Sequence, residues 1–341
     1  AIDGIYHETI ENRSEKGVCL MKEYLKLYQK MREDYYQKWG EYFHPQSWQD
    51  FEMSNQEIFE KHLEKYNDSS DNALKTKLYV DLILNNIQYF GYYFAFCEDS
   101  FERLNNALWQ IGRTCLLRGG ITHSGTAYTG NIIKGIFTCF ACNDFEVSES
   151  FVPNTLPLLR GTFYTENVIN LFHSIYYKDD ERLEEALSKA ESFLTKKKLT
   201  GIAEYYVRFF CFLAKKDAEG ITRCLQKLCE AHQRQGYPIQ KIDKCFVPEI
   251  HGLYRLVRFF DKSLFEKVTL PTHKCFLKDF EEWQIKNNFP KGEQFYKYPE
   301  KLHEGNLILQ SPLPVIHLDD IDGKLSIDVE RFATELSNSA K

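Results

Sequence analysis

The sequence predicts an all-α protein built of stacked helical hairpins, TPR-like or α-solenoid-like, with a small β-hairpin near the C-terminus. Three observations predict it. Val168, Leu171, Phe172, Ile175 and Tyr176 recur at helical spacing, an Asp179-Asp180 break follows, and Leu183, Ala186, Leu187, Ala190 and Leu194 form a partner stripe. The same code returns in Ile202, Tyr205, Tyr206, Phe209, Phe210 and Leu213, then a Lys215-Lys216-Asp217 break, then Ile221, Cys224, Leu225 and Leu228. This period, 37 residues from Asp180 to Asp217, falls in the range of helical-hairpin repeats, whose stacked faces make binding surfaces. Short β-prone runs occur only late, at Leu307 to Leu309 and Val315 to Leu318.

Along the chain, residues 16 to 43 read as a long charged and aromatic helix closed by Pro45. Ser54-Asn55-Gln56-Glu57 has capping-box spacing, which predicts a second helix from there to about Asn67. From Asp71 to Cys97 the pattern is helical and apolar around much of its circumference, so this helix should be buried on several sides, with Gly91 marking a kink or a close helix approach. Leu104, Ala107, Leu108, Ile111 and Cys115 give the next amphipathic helix, stopped by Gly119-Gly120. A small-residue polar loop over 121 to 130 leads into a helix carrying Ile132, Ile133, Ile136, Phe137 and Phe140. Pro153 and Pro157 punctuate a connector before the two repeats. A helix through Phe246, Ile250, Leu253, Tyr254 and Val257 has a partner cut short at Pro271. A Trp283-centred helix and a last helix from about Ile327 to Leu336 complete the chain. We therefore expect one helical body in three parts: an N-terminal helical region over 1–118, a hairpin-repeat core over 119–270 and a proline-rich segment over 271–341.

Bulk properties narrow the function. The 43 basic and 49 acidic residues leave a net charge of -6, which disfavours nucleic acid as the main ligand and suits a basic protein partner. The ten cysteines fall mostly on apolar helix faces, where cysteine acts as a small hydrophobe, so no disulfide framework is expected. The first residues, with Glu8, Glu11, Arg13, Glu15 and Lys16, lack a signal-peptide core, and Tyr89 to Cys97 is too short to span a bilayer. A cytoplasmic protein without a membrane segment is the expectation.

No complete catalytic or cofactor set is legible. Gly120-x4-Gly125 is followed by Thr126-Ala127 where a phosphate loop needs Lys-Ser/Thr, and Ser124 lacks the glycines of a nucleophile elbow. Cys139 and Cys142 form a lone CxxC, read as core thiols; Cys224, Cys229, His232 and Cys245 could gather in space, yet Cys224 and His232 continue the packing stripe from Ile221, so this group is read as core too. His7-Glu8 has no second histidine for a zinc site, and Lys196-Lys197-Lys198 and Lys215-Lys216 read as solvated helix ends. Arg118 and His123 have the Arg-x4-His spacing of HEPN-type helical ribonucleases, which defines one enzymatic alternative. The acidic groups Glu281-Glu282 and Asp319-Asp320-Asp322 are candidates for docking a basic partner, and Asp320-x-Asp322-Gly323 lacks the later ligands of a calcium loop.

From Leu104 to Leu270 the order of features resembles the immunity 49 family, bacterial proteins that protect a cell from a polymorphic toxin. The features are Tyr176-Tyr177-Lys178-Asp179-Asp180, then Tyr205 through Asp217, Leu225 through His232, and the closing Ile250-His251-Gly252-Leu253-Tyr254-Arg255-Leu256. The resemblance implies a cytoplasmic protein, not an enzyme, that takes no cofactor or metal and binds a cognate toxin domain to occlude its active site. It carries over no functional residue. Anchors are expected among exposed Tyr or Trp residues at the seam between the repeats and the C-terminal segment. A helical-repeat adaptor that holds a peptide is the alternative from another class.

Overall fold

A computed structural model describes residues 14–122, 128–321 and 324–341. The chain is all-α with one two-stranded antiparallel hairpin. In order, the helices are α1 (Glu15–Trp39), α2 (Trp48–Ile58), α3 (Glu64–Asn67), α4 (Asn72–Leu78), α5 (Ile87–Cys97), α6 (Phe101–Gly120), α7 (Tyr128–Ala141), α8 (Val147–Phe151), α9 (Tyr164–Tyr177), α10 (Asp180–Leu194), α11 (Gly201–Ala214), α12 (Ala218–Arg234), α13 (Lys241–Cys245), α14 (Pro248–Phe260), α15 (Lys262–Phe265), α16 (Lys278–Lys286), α17 (His303–Gln310) and α18 (Val329–Ser339). The strands are β1 (Leu318–Ile321) and β2 (Lys324–Ile327), paired Leu318 to Ile327 and Ile321 to Lys324.

The repeat has a local cause. Lys178 and Lys216 both adopt left-handed backbone with φ 55°, and the following Asp179 and Asp217 cap the next helix by accepting from the Arg182 and Gly220 amides. In each turn the aspartate's own N–H returns to a carbonyl five residues back, on Ser174 and Phe212. The structurally equivalent residues are thus Asp179 and Asp217. The same turn joins α5 to α6, where Asp99 has φ 56°, Ser100 caps and its N–H reaches the Ala95 carbonyl. Between the turns the apolar stripes face inward: Val168, Leu171, Ala186, Ala190, Phe209, Phe210, Ile221 and Leu228 are all buried.

Phe209 is fully buried and packs edge-to-face on Phe210 at 5.2 Å. Phe209→Ala should therefore lose about 3–5 kcal/mol, read as a lowered denaturation midpoint, and an unchanged midpoint would show that the site collapses without cost.

Helix α7 is clamped between neighbours at glycines. A Cβ on Gly112 of α6 would lie 2.9 Å from the Cys139 backbone nitrogen, and one on Gly252 of α14 would lie 1.8 Å from the Phe137 carbonyl oxygen. Gly91 similarly admits Ile111 and Ala107 of α6, so it marks a close approach. The irregularity in that stretch lies earlier, in a π turn over Tyr79–Ile83 and a 3-10 turn over Leu84–Asn86.

Several boundaries differ from the sequence reading. Helix α1 stops at Trp39 because Gly40 takes φ 74°. Helix α2 starts at Trp48, capped by Ser47, since this places Trp48 and Phe51 against Phe90 and Tyr296; Ser54 lies within it. Gly119 and Gly120 end α6 from inside the helix, where Gly120 makes room for Phe332 of α18. The run Leu307–Leu309 is helical within α17, so the hairpin begins only at Leu318.

The three expected parts share one continuous apolar core from Leu20 to Leu336. Amides stitch the tail to it: Gln284 donates to Asn105 Oδ1 at 2.6 Å, Asn143 donates to the Pro290 carbonyl at 2.8 Å, and Gln110 accepts from the Tyr296 amide at 2.8 Å. Residue 118 falls inside α6, so the expected first boundary cuts a helix.

Candidate functional site

Helices α6 and α7, Tyr24 of α1, the segment from Lys77 to Tyr92 and the stretch from His232 to Glu249 line a half-open cavity of about 920 Å³. Local sequence positions its side chains. Thr114, Cys115 and Arg118 follow one face of α6, and Lys134 and Thr138 lie one turn apart on α7. Pro248 opens α14, which places Glu249 in the first helical turn, where the helix dipole favours a carboxylate. Tyr24, Tyr92 and Phe246 form an aromatic wall, with Tyr92 edge-on to Tyr24 at 6.2 Å and to Phe246 at 5.3 Å.

Polar groups of this wall lack partners. The Tyr92 hydroxyl, the Thr114 hydroxyl and His232 Nε2 are buried without a hydrogen bond to any described residue. Gln235 Nε2 donates to His232 Nδ1 at 2.9 Å, so the ring proton resides on Nε2 and that donor is unsatisfied. Burial pushes the His232 pKa down to about 4, which keeps the ring neutral at physiological pH. Each unpaired buried polar group costs about 1–3 kcal/mol, a cost that a polar occupant would remove.

Glu249 is half-buried and faces the cavity. Burial raises its pKa, against the pull of Lys134 and of its own backbone N–H, and Asp243 adds to the rise. A raised carboxyl pKa means that the ionised form destabilises the folded state once pH climbs above the unfolded value. Glu249→Gln should therefore raise the melting temperature at neutral pH, with the gain fading as pH falls toward the ordinary glutamate pKa of about 4 and absent below it. A variant melting at or below the parent at neutral pH would contradict this placement.

A second feature is at the surface. Tyr36, Trp39, Tyr42 and Phe43, at the end of α1, are exposed by 38%, 60%, 48% and 57%. Tyr36 stacks on Tyr42 at 4.4 Å, Arg32 covers the Tyr42 ring at 3.6 Å, and Tyr35 bridges to Trp39 and Phe43.

The residues singled out from sequence are dispersed. Glu281 is not on an acidic surface: it is fully buried, accepting from Arg255 and from His251 Nδ1. Leu277 N–H donates to His251 Nε2, which fixes the imidazole proton on Nδ1. Glu282 and Asp319 are exposed, while the Asp320 side chain and the whole of Asp322 lie outside the described residues. Arg118 is helical and not on a loop; it is held by Asn85 Oδ1 at 3.2 Å and Asp81 at 3.5 Å, and His123 lies outside the described residues. Cys139 and Cys142 are buried free thiols whose pKa values burial raises well above the ordinary range. Among the described residues no three His, Cys, Asp or Glu side chains gather as metal ligands, and no helix is long and apolar enough to cross a membrane.

Sequence reasoning missed Tyr92, Thr114, Lys134 and Glu249 and assigned His232 to packing. The available signal was a polar residue breaking an apolar stripe, as Lys134 does between Ile133 and Ile136, and Glu249 between Pro248 and Ile250. Comparison with family models, curated proteins and solved structures finds no match to this chain.

Proposed function

We propose that the chain is a cytoplasmic immunity protein that binds a cognate toxin domain and occludes its active site, with no chemistry of its own. The observation that carries this reading is the aromatic end of α1. Interface hot spots concentrate in Trp, Tyr and Arg, and this end combines Tyr35, Tyr36, Trp39 and Tyr42 with a stacked Arg32. Large rings rarely stay in water as a contiguous group unless something covers them. The helical-hairpin body supports the same reading, and the order of sequence features that resembles immunity 49 proteins motivates it. The anchors then sit at the N-terminal helix, away from the seam favoured on sequence grounds.

Exposure makes the test clean, because Trp39→Ala removes little packing. Co-expression with a toxin domain encoded by a neighbouring gene is expected to protect cells and co-purify both proteins. Trp39→Ala should weaken the complex by at least about 2 kcal/mol, roughly thirtyfold in Kd, at unchanged melting temperature. Cells that die despite co-expression, with no complex recovered, would remove the proposal. Glu282 and Asp319 remain candidate contacts for a basic partner surface.

A further inference from the structure

The cavity differs from the aromatic end in every respect that decides a ligand. It is a half-open pocket with the exposed Lys134 at its rim, its size falls within the few hundred to about 1,000 Å³ typical of small-molecule sites, and its wall mixes aromatic carbon with unpaired polar atoms. A cavity kept for packing alone would be apolar and dry. Here Tyr92 and Thr114 are more than nine-tenths buried and their hydroxyls have no hydrogen-bond partner among the described residues.

Charge selects the class of occupant. The lining carries three cations, Lys77, Arg118 and Lys134, and three anions, Asp81, Asp243 and Glu249. Lys77 is paired with Glu330, and Arg118 with Asp81. No surplus of positive charge is left for a phosphate, so a nucleotide would enter without compensation. Asp243 is engaged by the Gln240 backbone N–H and by the Tyr89 hydroxyl, which leaves Lys134 and Glu249, close enough for the ammonium to lower the carboxyl pKa, with no bond between them or to another side chain among the described residues. They present one donor head and one acceptor head, with the Tyr92 and Thr114 hydroxyls able to serve either.

We propose that this cavity binds an amino-acid-type zwitterion with an apolar or aromatic side chain. Its ammonium group meets Glu249, its carboxylate meets Lys134, and its side chain lies against the wall that includes Phe246 and Ile111. A free amino acid and a dipeptide share this chemistry, and the volume admits both. The proposal is independent of the aromatic end of α1.

Calorimetry and thermal shift with L-phenylalanine, L-tryptophan and L-phenylalanyl-L-leucine test it, alongside N-acetyl-L-phenylalanine, phenylalanine amide and AMP. At least one zwitterion should bind and raise the melting temperature, as mass action requires of a ligand specific for the folded state. Binding by the single residues assigns a free amino acid, and binding by the dipeptide alone assigns a peptide. The acetylated and amidated probes should each bind about tenfold more weakly or worse, and Glu249→Gln and Lys134→Met should each weaken the zwitterion by at least about tenfold while remaining folded by circular dichroism. Trp39→Ala should leave this binding intact even if it abolishes toxin binding. The proposal is overturned if no zwitterion binds, if AMP alone binds, or if both folded cavity variants bind as the parent does.

Discussion

Glu281→Ala is expected to destabilise the fold by about 3–5 kcal/mol, enough to leave much of the protein unfolded at modest urea concentration. The cause is electrostatic. Glu281 and Arg255 are both fully buried, and the carboxylate takes one hydrogen bond from the guanidinium and one from His251 Nδ1. Removing it leaves a buried cation whose Nε and Nη2 already lack partners among the described residues and which otherwise faces only the Phe280 and Phe289 rings there, at 6.0 and 5.1 Å. Glu281→Gln keeps an acceptor for His251 and should cost less. Urea midpoints for the two variants check the ordering. Equal midpoints for parent and Glu281→Ala would mean that water replaces the carboxylate and that the cluster is not closed.

Gly252→Ala is expected to cost about 3 kcal/mol or more, at the upper end of overpacking effects. The added methyl would meet the Phe137 carbonyl oxygen, its carbon at 2.7 Å and its Cα at 3.0 Å, all backbone, so no rotamer change relieves it. Helix α7 cannot retreat, since its Cys139 backbone already rests on Gly112 of α6. Gly130→Ala in the same helix is the control: no described residue lies within 4 Å of its Cβ position, and helix propensity predicts a gain of up to about 1 kcal/mol. A pair of melts distinguishes the cases, and an undisturbed Gly252→Ala would show that α7 and α14 do not cross there.

What the sequence revealed follows from where periodicity is strong. The paired stripes at 168 to 228 have one buried face each and legible aspartate breaks, so the repeat and its inward residues could be read directly. The third instance of the turn, at Asp99-Ser100, was hidden because α5 is apolar on most sides and shows no clean stripe. Ser47 and Ser54 both offer capping chemistry, and the choice was made by Trp48 reaching Phe295 and Tyr296 in the distant tail. Leu307–Leu309 is too short for its period to separate helix from strand, and packing decided for helix. Glu281 read as surface because a charged pair on a helix usually is; only the fold brings Arg255 and His251 to it. The cavity escaped notice for a related reason, since its polar atoms come from segments spread between residues 77 and 249 and no local motif joins them.

The most direct test of the central claim, that the aromatic end of α1 is the surface which grips a partner, is hydrogen exchange of the purified complex with the toxin domain. Slowed exchange concentrated over residues 32–43, and absent from Trp39→Ala mixed with the same toxin at the same concentration, is the predicted result. Protection confined to other helices, with Trp39→Ala binding as tightly as the parent, would contradict it.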